Sequence, residues 1–344
     1  MRVAIVNDLR IATEALRQIV CSHPDHTVAW TAASGEEAVR RYEKDPPDVI
    51  LMDLLMPGMN GAEATRQIMR RRPCPILVVT ATVAGNYSLV CEALSHGAYD
   101  AVSTPVLGDR PPQEAGADLL AKLKSVDRIR RDQRAVAQAS EPSPAARSSV
   151  PVRGGDGLLV AIGASTGGPQ ALEKIISSWP ADLPAAVVVI QHIAAEFAAS
   201  LAQWLQERSR LKVRLAAQGD SLQPGTALVA ATNDHLVLRS NRRLAYQPEP
   251  ANIPYRPSVN VFFESLAENW PTPSVAVLLT GIGRDGAEGL LKLRQRGWHT
   301  ISQDENSCVV YGMPQAAAEI GASSRVLPLD EIAAHIAGHV ARMA

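Results

Sequence analysis

The chain has 344 residues, of which 46% are hydrophobic and 20% charged. That is enough apolar mass for two domains with separate cores. With 34 Lys and Arg against 35 Asp and Glu, the net charge of -1 gives no electrostatic drive toward nucleic acid or an anionic membrane, so neither is expected as a partner. The longest apolar runs, such as Ala185 to Ile190, are far too short to cross a bilayer. The N-terminus turns acidic at Asp8, too early for a signal peptide. Cys21, Cys74, Cys91 and Cys308 are scattered without a CxxC pair, which fits reduced thiols and a cytoplasmic location.

From Val3 the pattern alternates short apolar strands with amphipathic helices. Strands are predicted at Val3–Val6, Thr27–Ala32, Val49–Met52, Ile76–Thr80 and Ala101–Ser103, with helices near Thr13–Val20, Gly35–Tyr42, Gly61–Arg71 and Tyr87–His96. Such alternation implies a parallel sheet with helices on both faces, and ligands then sit at the carboxyl ends of the strands. Asp8, Asp53 and Thr80 collect at that edge. Two carboxylates there make a hard-oxygen site that suits Mg²⁺, and a metal-bound carboxylate is a plausible phosphoryl acceptor.

Leu119, Leu120, Leu123 and Val126 are placed in the last helix of this domain, and Arg128, Arg130, Arg131 and Arg134 extend it as a basic, solvated face. From Ala139 the run ASEPSPAARSSVP has no apolar mass and reads as a flexible linker. The expected division is a first domain over 1–124, a linker over 125–155 and a second domain over 156–344.

The second domain begins with the stretch LLVAIGASTGGPQAL, Leu158 to Leu172. An apolar strand, a small-residue turn and a helix follow one another, which puts the Ser165 hydroxyl at a sheet's carboxyl edge. Gly163-x-Ser165-x-Gly167 fits a nucleophile elbow, and the helix N-terminus behind it suits a developing oxyanion. A phosphate-cradling loop is the other reading of the same glycines.

Two further strand ends bring partners. Ala186–Ile190 is wholly apolar and ends in Gln191-His192; Val275–Leu279 leads into Thr280-Gly281-Ile282-Gly283-Arg284-Asp285-Gly286. Ser165, His192 and Asp285 are thus delivered to one edge. A serine hydroxyl needs a base at neutral pH, and the imidazole needs an acceptor to fix its tautomer. The order Ser, His, Asp is not that of the α/β-hydrolases, but a triad is defined by geometry. Against this stands a dinucleotide fingerprint, since Gly281-Ile282-Gly283-Arg284-Asp285-Gly286 matches GxGxxG with Asp304 downstream. It supports an alternative, a receiver-controlled module that binds a nucleotide. His235 is placed after a strand, with a surface or supporting role. His335 and His339, one helical turn apart without a third ligand, read as a plain helix face.

Two resemblances follow from these segments. Val49 to Gly61, VILMDLLMPGMNG, resembles the phosphoacceptor segment of two-component receiver domains. That resemblance implies phosphorylation at Asp53, Mg²⁺ held by Asp8, Asp53 and the Leu55 carbonyl, and Thr80 as the switch hydroxyl. Three positions depart from the pattern: Asn7-Asp8 replaces an acidic pair, Thr104-Pro105 replaces Lys-Pro, and Ala101 stands where an aromatic is usual. Metal affinity is therefore expected to be weakened. The second domain, through IGASTGGP at Ile162 to Pro169, QH at Gln191-His192, RPSVN at Arg256 to Asn260, LTGIGRDGA at Leu279 to Ala287, Gln303-Asp304-Glu305 and VYGMP at Val310 to Pro314, resembles the CheB family of chemotaxis protein-glutamate methylesterases. The resemblance implies a receiver followed by a doubly wound, mostly parallel α/β domain. It further implies Ser165, His192 and Asp285 as the triad, hydrolysis of glutamyl methyl esters on chemoreceptors to glutamate and methanol, and glutamine deamidation at the same sites. A cognate histidine kinase is the expected phosphodonor, and the esterase domain is expected to need no cofactor. The backbone N–H groups of Thr166 and Ile282 are the oxyanion-hole candidates. Ile282 and Asn260 stand where Met and Asp are usual, and the altered receiver resembles the Wsp-type branch. The unphosphorylated receiver is expected to cover the esterase edge.

Overall fold

The computed structural model describes residues 1–80, 87–108, 110–136 and 157–344. They divide into two compact units, Met1–Val136 and Ala137–Ala344.

The first unit runs β1 (Arg2–Val6), α1 (Arg10–Cys21), β2 (Thr27–Ala32), α2 (Gly35–Lys44), β3 (Val49–Met52), α3 (Gly61–Arg71), β4 (Ile76–Thr80), α4 (Tyr87–Ser95), β5 (Asp100–Ser103), α5 (Pro112–Ala115) and α6 (Ala117–Val136). The strands form one parallel sheet in the order β2-β1-β3-β4-β5. The inner strands β3 and β4 are buried along their whole length, which is why they read as unbroken apolar runs. Helix starts follow local chemistry: Ser34 caps α2 and Asn60 caps α3, each accepting the N–H of the third residue on. Along α6 the apolar residues Leu119, Leu123 and Val126 are buried, and Lys122 pairs with Asp100 of β5. The stretch expected as linker, 125–155, begins inside α6; its remainder, 137–155, lies outside the described residues.

The second unit runs β6 (Leu158–Ala164), α7 (Gly168–Ser177), β7 (Ala185–Gln191), α8 (Ala195–Arg208), β8 (Lys212–Leu215), β9 (Thr226–Val229), β10 (His235–Leu238), β11 (Leu244–Gln247), α9 (Val259–Asn269), β12 (Val275–Leu278), α10 (Ala287–Gln295), β13 (His299–Gln303), α11 (Met313–Glu319), β14 (Arg325–Leu327) and α12 (Leu329–Met343). Seven strands pair in the order β14-β13-β12-β6-β7-β9-β8, and each of these pairings is parallel. Strands β10 and β11 form a separate antiparallel hairpin. One side of the sheet packs against Phe262, Phe263, Leu290, Leu293 and Trp298. The indole N–H of Trp179 donates to the Ala333 carbonyl at 3.0 Å, tying the segment after α7 to α12. The chain leaves β6 toward β7 on one side and later returns through β12 on the other. The crevice at such a reversal is where open α/β sheets hold ligands. Among the described residues no helix is long and apolar enough to cross a membrane.

Candidate active site

Ser165 follows directly on β6. Its N–H donates to the Thr280 carbonyl at 3.1 Å, and its carbonyl accepts from Gly168 N at 2.8 Å, closing a tight turn into α7. Gly167 takes φ +78°, a left-handed conformation that glycine adopts without steric cost. The loop after β12 presses on the same turn. A Cβ on Gly281 would lie 2.7 Å from Ser165 Cβ and 2.3 Å from Met313 Sδ, so only glycine fits there.

His192 emerges next to Ser165, because Ala164 of β6 pairs with Gln191 of β7. Gln191 Nε2 donates to the carbonyls of Ser165 (2.8 Å) and His192 (3.1 Å), bracing the two strand ends. On the other side of β6, Gly163 pairs with Leu278 of β12, whose following loop carries Asp285. His192 Nε2 lies 2.8 Å from Asp285 Oδ2. An ionised carboxylate only accepts, so Nε2 carries the proton and Nδ1 presents a lone pair. The Tyr255 ring stacks on the imidazole, with 4.6 Å between centroids and 13° between planes.

Asp285 is 4% exposed. Burial alone opposes its charge. Hydrogen bonds from His192, Ser258 and the Asn260 N–H outweigh that and hold the carboxyl below its usual range. Asp285 Oδ1 accepts from Ser258 Oγ at 2.8 Å and Asn260 N at 3.1 Å, while Oδ2 also accepts from Val259 N at 2.6 Å. The carboxylate therefore sits on the N-terminus of α9, where unpaired N–H groups favour an anion.

Four side-chain atoms of this unit are buried without a hydrogen-bond partner among the described residues: Ser165 Oγ, Thr166 Oγ1, Gln191 Oε1 and His192 Nδ1. They belong to two dipeptides at the ends of neighbouring strands. A buried polar atom left unpaired is costly, and such atoms cluster where a ligand supplies the missing partners. Thr166 is 1% exposed at the head of α7, and Ile282 is 6% exposed and follows Gly281 directly.

Several expectations change here. Of the two roles expected for His235, the surface one falls: it comes after β9 but opens β10 and is fully buried, and its Nδ1 accepts the Ser258 N–H at 3.1 Å. The GxGxxG loop turns its carboxylate to His192 and α9, and Arg284 pairs with Glu319 at 3.1 Å. Asp304, the supposed ribose ligand, binds Ser307 instead. His335 and His339 do meet a third histidine: His299 Nε2 lies 2.8 Å from His335 Nε2, and its ring stacks on His339 at 4.3 Å. Even so, no group of three His, Cys, Asp or Glu side chains among the described residues is arranged to hold a metal. The roles of Ser258, Tyr255 and Gln191 were not visible in the sequence. Only the Ser258 N-cap pattern before an apolar helix offered a signal.

In the first unit, Asp53 Oδ1 accepts from Leu54 N at 2.7 Å and, more weakly, Leu55 N at 3.5 Å. Burial raises the Asp53 carboxyl above its ordinary range; those two N–H groups oppose the shift and the charge of Asp8 adds to it. Asp8 Oδ1 is buried without a partner among the described residues. Asn7 uses its side-chain oxygen on Leu9 N at 2.8 Å. Thr80 is fully buried, its carbonyl accepts from Thr104 N at 2.9 Å, and Ala101 is fully buried in β5. An orphaned carboxylate oxygen beside a second, mutually repelling carboxylate fits a hard divalent cation, although the third acidic group is missing.

Fold and site together define a class: a receiver domain joined to a parallel α/β domain with a serine at its topological switch point. Residues 3–110 match the response regulator receiver domain family, and residues 160–336 match the CheB methylesterase family. The chain belongs to the CheB methylesterases. It is 49% identical over 338 residues to protein-glutamate methylesterase/protein-glutamine glutaminase 2 of Burkholderia orbicola, covering 98% of each protein. It is also 49% identical over 336 residues to the protein-glutamate methylesterase/protein-glutamine glutaminase of group 3 operon of Pseudomonas putida, again covering 98% of each. The crystal structure of the Thermotoga maritima CheB methylesterase catalytic domain is similar at 35% identity and a TM-score of 0.52, covering 54% of this chain and 99% of that one.

Proposed function

We propose that this chain hydrolyses glutamyl methyl esters on chemoreceptors, and deamidates glutamine at the same sites, with Ser165, His192 and Asp285 as its triad. One observation carries the reading. A buried imidazole just past the end of β7 has Nε2 committed to Asp285, and its Nδ1, like the Oγ of the buried serine just past the neighbouring β6, has no hydrogen-bond partner among the described residues. His192 Nδ1 takes the Ser165 proton as Oγ attacks the ester carbonyl. The N–H groups of Thr166 and Ile282 stabilise the oxyanion. Collapse releases methanol, protonated by His192, and leaves an acyl-serine. Water, deprotonated by the same nitrogen, then releases the glutamate carboxylate and restores the serine. Asp285 orients the ring and stabilises the imidazolium. With a glutamine side chain the leaving group is ammonia.

The first unit is the control element, with the receiver over 1–124 and the catalytic domain over 156–344. Asp53 accepts a phosphoryl group from a cognate histidine kinase, Thr80 follows it, and Asp8, Asp53 and the Leu55 carbonyl hold Mg²⁺. The bound ion supplies charge neutralisation at the acceptor. Burial and the Leu54 N–H orient the acceptor oxygen. A cytoplasmic location fits the four cysteines, all free. The test is methanol release from methylated receptor membranes by wild type and Ser165→Ala, each with and without a phosphodonor. Release by wild type and its loss in the variant supports the esterase; equal rates with and without phosphodonor remove the control by Asp53.

A further inference from the structure

Among the described residues, three of the four hydrogen bonds to the Asp285 carboxylate come from one tripeptide, Ser258-Val259-Asn260, at least 25 residues away in sequence. The direction of the serine proton is determined. Ser258 Oγ caps α9 by accepting the Val261 N–H at 3.3 Å, so its own hydrogen is directed at Asp285 Oδ1, 2.8 Å away. Behind it, the Ser258 N–H donates to His235 Nδ1 at 3.1 Å, and His235 Nε2 donates to the Pro250 carbonyl at 3.2 Å. Burial lowers the pKa of His235, consistent with the neutral tautomer this pattern requires. Ser258 and His235 are both fully buried.

We infer that Ser258 is a positioning residue of the triad, its hydroxyl locking the Asp285 carboxylate in the rotation that aims Oδ2 at His192 Nε2, with His235 holding Ser258 in place. The inference rests on the triad reading of the preceding subsection. Two amides at a helix end already bind the carboxylate. The hydroxyl adds a second donor to Oδ1, the oxygen turned away from His192. It thereby stops rotation about Cβ–Cγ and draws negative charge away from Oδ2. Without it, Oδ2 pulls harder on the imidazole proton, and the imidazolium form of His192 persists to higher pH. The ionisable groups around this network are His192, Tyr255 and His235, with Asp234 and Arg256 acting on His235.

The test uses the full-length chain and two variants. Ser258→Gly removes the hydroxyl while glycine remains tolerated at a helix N-cap. Ser258→Thr keeps the hydroxyl. Titration of the His192 imidazole by NMR is read beside kcat and KM for methanol release. In Ser258→Gly the His192 midpoint is expected to rise by about 0.5 to 1 pH unit. At pH 7, kcat is expected to fall about tenfold with KM within about twofold. Ser258→Thr is expected to restore both. An unchanged midpoint in Ser258→Gly overturns the inference, and so does a threonine variant as impaired as the glycine one, since packing alone then explains the loss. Should the glycine chain not fold, Ser258→Cys, a near-isostere with a weak donor, is read against the same expectation. If wild type releases no methanol, the esterase reading falls, and the imidazole titration still decides the role of Ser258.

Discussion

His192 gives its Nε2 to Asp285, at 2.8 Å, while its buried Nδ1 has no hydrogen-bond partner among the described residues, which leaves it available as the base in the proposed triad. This reverses the assignment of the serine proteases, in which the aspartate binds Nδ1. The chemistry is the same, because either nitrogen serves as base once the other is held. Asp285→Asn is therefore expected to lower kcat/KM for methanol release by about three to four orders of magnitude. An amide cannot accept from Ser258, Val259, Asn260 and His192 together. Steady-state kinetics on the folded variant checks this, and a loss below tenfold would remove Asp285 from the triad.

Gly281 and Ser165 touch across the switch point, and a methyl group has no room there. Gly281→Ala is expected to displace the serine turn or Met313, costing about 1 to 3 kcal/mol of stability and at least tenfold in kcat. Thermal unfolding and methanol release measure the two effects separately. Wild-type kcat in this variant would show that the Ser165 position tolerates a shift of its backbone.

Asn7 stands where a third carboxylate would complete the receiver's acidic site. Asn7→Asp adds a charge beside Asp8 and Asp53, and Mg²⁺ affinity is expected to rise about five- to tenfold, worth roughly 1 kcal/mol. Calorimetric titration of both chains with Mg²⁺ reads this directly. Equal dissociation constants would acquit Asn7 as the weak point of the site.

His299 predicts a pH dependence of stability. Burial, reinforced by His339, His335 and two arginines, lowers its pKa from the usual 6.5 to about 4. Between those values the unfolded chain binds a proton that the folded chain does not, so stability falls as pH drops from 6.5 toward 4. After solvent screening of this half-buried ring, the loss is on the order of 1 kcal/mol. His299→Gln is expected to flatten that part of the profile in denaturant titrations run at several pH values. An identical acid limb in the variant would assign the loss to other groups.

Much of this molecule is written in local pattern. The apolar run, small-residue turn and helix around Ser165 are legible because each depends on neighbours within a few residues. The strand at Ala185–Gln191 is legible for the same reason, and so is the alternation that builds the first unit. Strand ends then place chemistry at one edge, since parallel strands all finish on the same side. What tertiary structure alone decided lies in contacts that cross the chain. Which imidazole nitrogen meets Asp285 depends on a pairing 93 residues apart. The helix end that holds Asp285 is reached only once β12 and β6 pair and α9 packs behind them. His235, which looked unpartnered, and His299, which joins two helix-face histidines, each needed a partner from another element. Periodicity reports which face of an element is buried, but not which residue of another element it will meet.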